Sequence, residues 1–170
     1  NADKFFEEKL GRQIHLVNDA DAAGLAEVHF GAAKGNDGLV ILTTLGTGIG
    51  SALIYRGTLV PNVELGHLEL DGHDAETRAA SSIKDKENIS YEEWTTKRLQ
   101  PYYKHVEMLF SPDLFVVGGG VSRAGDVLFA PLREHFKVYA FKSCRETPIV
   151  PAILGNDAGI YGSVRLIVGE

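Results

Sequence analysis

An asparagine–aspartate pair, Asn18-Asp19, follows the β-prone run Gln13 to Val17 and precedes the helix-forming run Ala20-Asp21-Ala22-Ala23-Gly24-Leu25-Ala26-Glu27. A carboxylate at such a strand-to-helix turn can take a proton from a hydroxyl-bearing ligand while backbone N–H groups at the helix start hold it. The same residue types also cap helices, and Asn156-Asp157-Ala158 repeats Asn18-Asp19-Ala20 ahead of a second helical run. Locally the cap reading leads, so catalysis by Asp19 needs companions. Glu64, His67 and Glu76 are the candidates. Each carboxylate oxygen can accept a charge-assisted hydrogen bond worth ~1.5–3 kcal/mol from a hydroxyl, and an imidazole can donate or accept. Such a set suits a polyol, although a solvated loop, with His73-Asp74 as a surface turn, accounts for the same residues. The spacing of His67, His73 and their acidic neighbours does not form a firm metal-ligand pattern.

Two glycine-rich strings add a second kind of chemistry. Leu45-Gly46-Thr47-Gly48-Ile49-Gly50 lacks the lysine of a P-loop but puts small residues and a hydroxyl in a turn where amides can converge on phosphate. A glycine-rich hairpin turn would give the same string. Gly118-Gly119-Gly120 allows close approach of a phosphorylated or flat ligand, and tight strand-to-helix packing explains it equally well. Together the two loops favour a nucleotide or polyphosphate.

The elements that must position these residues alternate. Asp3 to Leu10 reads as an amphipathic helix stopped by Gly11, and Gln13 to Val17 as a short strand. Gly38 to Leu45, Ser51 to Tyr55 and Thr58 to Val60 form an antiparallel hairpin region, and Pro61 to Glu76 is too acidic and irregular for core. Ser81 to Asn88 is a polar loop or the start of a solvated helix. A long helix begins at an N-cap on Ser90, is kinked by Pro101 and carries Trp94, Tyr102, Tyr103 and Phe110 mainly into the core. Its Lys97, Arg98 and Lys104 read as a solvated face. Leu114 to Val117 is a buried strand, followed after the glycines by a helix through about Phe136. Ile149 to Leu154 is the last strand, and a terminal helix carries Ile160, Val164, Leu166 and Ile167. Strands joined by helices through polar or glycine-rich turns make an α/β layer protein with ligands at the strand ends.

With 170 residues, 44% hydrophobic and 24% charged, the chain has the size and composition of one globular domain. A net charge of −6 argues against nucleic acid as a partner, and no apolar run approaches the ~18 residues of a membrane span. The lone Cys144 can form neither an internal disulfide nor a thiolate-rich zinc site, and the cytoplasm is the expected compartment.

Taken in order, the Val17 to Glu27 and Leu45 to Gly50 segments, Glu64-Leu65-Gly66-His67, Val116 to Ser122 and Asn156-Asp157-Ala158-Gly159 resemble the repressor/ORF/kinase (ROK) family of sugar kinases. The resemblance spans about His15 to Gly162, and Val60 to Glu76 looks in particular like the polyphosphate glucokinase branch. It implies an actin-like (ribonuclease H-like) ATPase-type lobe, a mixed sheet flanked by helices. It also implies phosphoryl transfer from polyphosphate, ATP or both to the 6-hydroxyl of glucose, with Mg2+ accompanying the donor. By position, Asp19 corresponds to the general base, and Asn18, Asp19, Glu64, His67 and Glu76 to the sugar contacts. Gly46, Thr47 and Gly48 correspond to a phosphate loop, and Gly118, Gly119 and Gly120 to the loop near an adenosine. Glu76-Thr77-Arg78-Ala79-Ala80-Ser81 resembles the end of the family's zinc loop without its cysteines, so no structural zinc is expected. The family's aspartate-glycine-glycine-threonine loop is also missing, so residues 1–170 resemble the larger, C-terminal lobe alone, without the N-terminal small lobe. The readings left open are an ATP-only hexose kinase, a sugar-sensing transcriptional regulator and a homodimer.

Overall fold

A computed structural model describes residues 2–168. The elements run α1 (Ala2–Leu10), α2 (Asp19–Phe30), β1 (Leu39–Leu45), β2 (Ile49–Tyr55), β3 (Thr58–Val60), β4 (Glu69–Leu70), β5 (His73–Asp74), α3 (Glu76–Ala79), α4 (Ser81–Glu87), α5 (Tyr91–Trp94), α6 (Gln100–Phe110), β6 (Leu114–Gly118), α7 (Asp126–Tyr139), β7 (Ile149–Pro151) and α8 (Ala158–Val168). Five strands form one sheet in the order β3-β2-β1-β6-β7. The β-branched and apolar run of β1 lies at its centre, antiparallel to β2 and parallel to β6, and β6 is parallel to β7. Alternation along the strands sends Ile41, Leu45, Phe115 and Val117 to one face and Val40, Leu42, Leu114 and Val116 to the other.

The two faces are covered differently. The first meets α6 and α7 through large rings: Tyr102, Tyr103, Phe115 and Phe136 make successive edge-to-face contacts at 5.4, 5.1 and 5.8 Å, a geometry worth ~0.5–1.5 kcal/mol per pair beyond burial. Tyr103 also shares a 2.6 Å hydrogen bond with Thr43 on β1. The second face meets α2, whose Ala20 to Val28 are all buried because alanine and glycine let it lie between the sheet and α8. The buried residues of α8 are small, Ala158 and Gly162, and Tyr161 reaches the Phe30 ring of α2 at 6.1 Å, whereas Ile160, Val164, Leu166 and Ile167 are exposed. A helix can approach closely through its small residues, so the apolar ones of α8 are left outward.

Several expected elements differ. Gln13 to Val17 forms no strand; Ile14 N–H bonds the Glu7 side chain, which ties the segment back to α1 instead of to a sheet edge. Ser90 does cap its helix, but Thr95–Leu99 is a π-helical turn and Pro101 stands in the first turn of α6. The widened turn accommodates the proline, which has no N–H to donate. Ser81 to Glu87 is helical and ends at Asn88 in the left-handed conformation. After β6 the chain makes a 3-10 turn, Gly120–Ala124, and α7 starts only at Asp126 and runs to Tyr139. The last strand stops at Pro151. Within the irregular acidic stretch, Leu65, Gly66 and Ala75 are buried.

Candidate functional site at the ends of β1 and β6

The site grows from the register of the sheet. Thr44 pairs with Gly50 across β2 and with Gly118 across β6, so a hydroxyl and two glycines form a row where β1 and β6 end. The first turn of α2 arrives at the same place. Asn18 Oδ1 accepts the Ala20 N–H at 2.8 Å, and Asp19 Oδ1 accepts the same N–H at 2.8 Å. Asn18 is therefore a cap, as its residue type suggests, and Asp19 is an exposed carboxylate in the first turn of the helix.

A polar cavity of about 340 Å³ opens there, lined by Asn18, Asp19, Thr44, Glu64 and Glu76 and by the glycine-rich turn from Gly46 to Gly50. Asn18 Nδ2 donates to Glu64 Oε1 at 3.3 Å. Asp21, buried three residues further along α2, accepts the Asn62 N–H at 3.0 Å and thereby holds the loop that carries Glu64. Burial raises the Asp21 pKa, the Asn62 N–H opposes this, and the charge of Glu64 adds to the rise. Glu76, at the start of α3, accepts the Ile49 N–H at 3.1 Å, and a Cβ at Gly48 would collide with its carboxylate. The turn is pinned from a third side by α4: Ser81 Oγ donates to Gly46 O and Ser82 Oγ to Thr47 O, both at 3.0 Å.

A second cavity, about 290 Å³, lies on the α2 and α8 side, with Leu42, Gly118, Arg123, Asn156 and Gly159 among its lining. Gly119 has φ +83°, and a Cβ there would strike the Leu45 carbonyl, so only glycine fits. Glu27, fully buried on α2, accepts N–H groups from Ala32, Ile153 and Leu154 and braces the turn leading to Asn156. The two cavities share Asp19, Thr44 and Gly119.

Of the residues singled out in the sequence, Asn18, Asp19, Glu64, Glu76, Gly46, Thr47 and Gly48 meet around the first cavity, and Gly118 and Gly119 line the second. His67 and Gly120 line neither. The His67 ring is 55% exposed, with Nδ1 3.1 Å from Asp74 Oδ2. That hydrogen bond raises its pKa above 6.5, with the charges of Glu76 and Glu64 adding to the effect. Sequence reasoning missed Thr44, Glu27, Arg123 and the two serines of α4; Ala80-Ser81-Ser82 at a helix start was the available signal for the last. Among the described residues, no cluster of three histidine, cysteine or acidic side chains could hold a metal ion, and no helix is long and apolar enough to cross a membrane.

A mixed sheet flanked by helices, with paired cavities meeting at the ends of its central strands, has the actin-like ATPase fold, and its solved neighbours include sugar kinases. The chain belongs to the ROK family, which it matches over residues 2–81 and 83–170. It is 48% identical over 160 residues to the polyphosphate glucokinase of Mycobacterium tuberculosis, which covers 94% of this chain and 56% of that protein. The inorganic polyphosphate/ATP-glucomannokinase of Arthrobacter sp. strain KM superposes with a TM-score of 0.82 at 50% identity, over 97% of this chain and 60% of that one. A ROK glucokinase from Streptomyces griseus, solved with glucose and AMPPNP, shares the fold at a TM-score of 0.80 and 22% identity, over 96% of this chain and 71% of that one. The chain thus spans somewhat more than half the length of the polyphosphate-using relatives it matches.

Proposed function

We propose that this chain supplies the larger, C-terminal lobe of a kinase that transfers a phosphoryl group from polyphosphate or ATP to the 6-hydroxyl of glucose. The observation that carries this reading is the shared wall: a polar cavity suited to a polyol and a second cavity suited to a phosphoryl donor meet at Asp19. Asn18, Glu64 and Glu76 bind sugar hydroxyls, and His67 reaches the sugar from the rim. One oxygen of Asp19 is held by the Ala20 N–H, and the other accepts the proton of the 6-hydroxyl as it attacks. The turn from Gly46 to Gly48 receives the transferred phosphate, and Gly118 to Gly120 lie beside the remainder of the donor. Mg2+ enters as part of the donor complex and shields its charge. Because phosphoryl transfer depends on positioning both reactants, the small lobe, which we place outside this chain, is needed for full turnover.

The high identity to a polyphosphate glucokinase and to a polyphosphate/ATP-glucomannokinase supports polyphosphate as a donor. The unpaired, buried Cys144 supports a reducing compartment such as the cytoplasm, and the exposed apolar side chains Met108, Leu109 and Phe141 support self-association as a homodimer. The test offers glucose with polyphosphate and with ATP to the full-length protein, and measures glucose binding to residues 1–170 by calorimetry. Glucose 6-phosphate from at least one donor, with glucose bound by the isolated chain, is the expected result. Product from ATP alone would reassign the donor. No sugar phosphate from any donor or hexose, together with an upstream helix-turn-helix, would make the protein a sugar-sensing regulator.

A further inference from the structure

A third cavity, about 280 Å³, lies away from Asp19 at the outer edge of the sheet, between α7 and β7. Three cations line it, Arg133, Lys137 and Arg145, against one acid, Glu146. The chain as a whole carries −6, so this cleft reverses the prevailing sign. Its guanidinium groups are built in. Arg133 Nε donates to Ile149 O at 2.8 Å while its plane lies 5.2 Å from the Phe129 ring, and Arg145 Nε donates to Ala140 O at 3.4 Å. Among the described residues neither arginine has an acceptor for its terminal nitrogens. Glu146 is occupied by Lys137 at 3.1 Å, but both side chains are largely exposed, and such a pair is readily exchanged for a stronger anion.

The position of the cleft matters as much as its charge. Ile149 and Val150 of the edge strand β7 line it, and Ala152, two to three residues further along the chain, lines the second cavity, so about 7–10 Å of backbone along that edge leads from the cleft on the α7 side of the sheet to the cavity on the α2 and α8 side. Along α7 the way is longer: from Asp126, shortly after Arg123 of the second cavity, the helix rises about 10 Å to Arg133 and about 16 Å to Lys137. A linear chain of phosphates with one end beside Asp19 can be longer than the second cavity and continue out of it. Guanidinium groups held by their Nε atoms present a planar fork that matches phosphate oxygens.

We propose that the Arg133–Lys137–Arg145 cleft is a distal subsite for the tail of a long polyphosphate donor. The proposal rests on the kinase reading of the central site and adds a basis for preferring long donors to short ones. Its test is a binding titration of residues 1–170 with long-chain polyphosphate and with tripolyphosphate, repeated for the double variant Lys137→Gln/Arg145→Gln and for Lys86→Gln. Lys86 is an exposed lysine lining none of these cavities, so it reads the effect of removing one positive charge elsewhere on the surface. Each lost surface contact is worth a few-fold, so the double variant should bind long-chain polyphosphate about tenfold more weakly, with a shallower salt dependence. Its affinity for tripolyphosphate should change less than about twofold, and Lys86→Gln should leave both ligands near the parent values. Unchanged long-chain affinity in the double variant, or an equal loss in Lys86→Gln, overturns the subsite. A single-stranded oligonucleotide that binds as tightly and with the same sensitivity would replace it with a general polyanion surface. Failure of the kinase reading has a different signature: tripolyphosphate and glucose fail to bind at Asp19, whatever the outcome at the distal cleft.

Discussion

The tripeptide Asn-Asp-Ala occurs twice, at residues 18–20 and 156–158, each time ahead of a helix, and the two copies end in different states. In the first, Asn18 caps α2 and Asp19 sits where two cavities meet. In the second, Asn156 and Asp157 fall in a 3-10 turn with no side-chain cap bond and Ala158 opens α8; Asn156 and Ala158 line the second cavity only, and Asp157 lines neither. The strand contexts explain the divergence. The first copy enters a helix buried between the sheet and α8, so its turn is fixed against the row of Thr44, Gly50 and Gly118. The second leaves an edge strand that ends at Pro151, and its turn is braced from outside by Glu27. A carboxylate becomes chemically useful through the wall it joins, and the same three letters supply it in only one place.

The contrast is sharpest in turnover. On the proposed kinase reading, Asp19→Asn in the full-length protein should lower kcat by at least about 10²-fold, the general-base range, with a smaller change in glucose affinity, whereas Asp157→Asn should change kcat less than about twofold. Comparable losses in the two variants would erase the distinction. Stability offers a smaller test. Asn18→Ala removes a side-chain cap and should cost about 1 kcal/mol in denaturant unfolding, while Asn156→Ala, with no cap bond to lose, should stay within about 0.5 kcal/mol. Equal costs would mean that both copies cap their helices. The smallest effect probes the rim of the first site. His67 has its pKa raised above 6.5 first by Asp74, so the stabilisation from their pairing is complete below about 6.5 and is lost as pH rises through the folded value. The ring should titrate by NMR above its ordinary value in the parent protein and closer to it in Asp74→Asn. No difference between the two would detach His67 from Asp74.

Much of the fold is legible because local rules and tertiary packing agree. The apolar β1 and β6 runs, the hairpin from β1 to β3 and the Ser90 cap follow from period, turn chemistry and residue type. Misreadings gather where a distant partner decides. Gln13 to Val17 has strand composition but is tied to Glu7, and the α8 residues Ile160 and Ile167 look like core although Gly162 makes the contact with α2. At the site, residue types announced acid, amide and glycine, and the motif order pointed to one family. The place of His67 outside the two cavities and of Thr44 inside both was not legible for a common reason. Whether a side chain lines a cavity depends on the neighbour that turns it, Asp74 for His67 and the register with Gly50 and Gly118 for Thr44.

The sequence by itself determined the chemical inventory and most of the order of strands, turns and helices, since periodicity, glycine tolerance and capping act over a few residues. Tertiary structure alone decided which carboxylate faces both cavities, which loops are pinned against each other and where three cations collect at the sheet edge. Those outcomes depend on contacts between residues tens of positions apart, and hydrogen-bond reach is fixed by how the layers pack rather than by spacing along the chain.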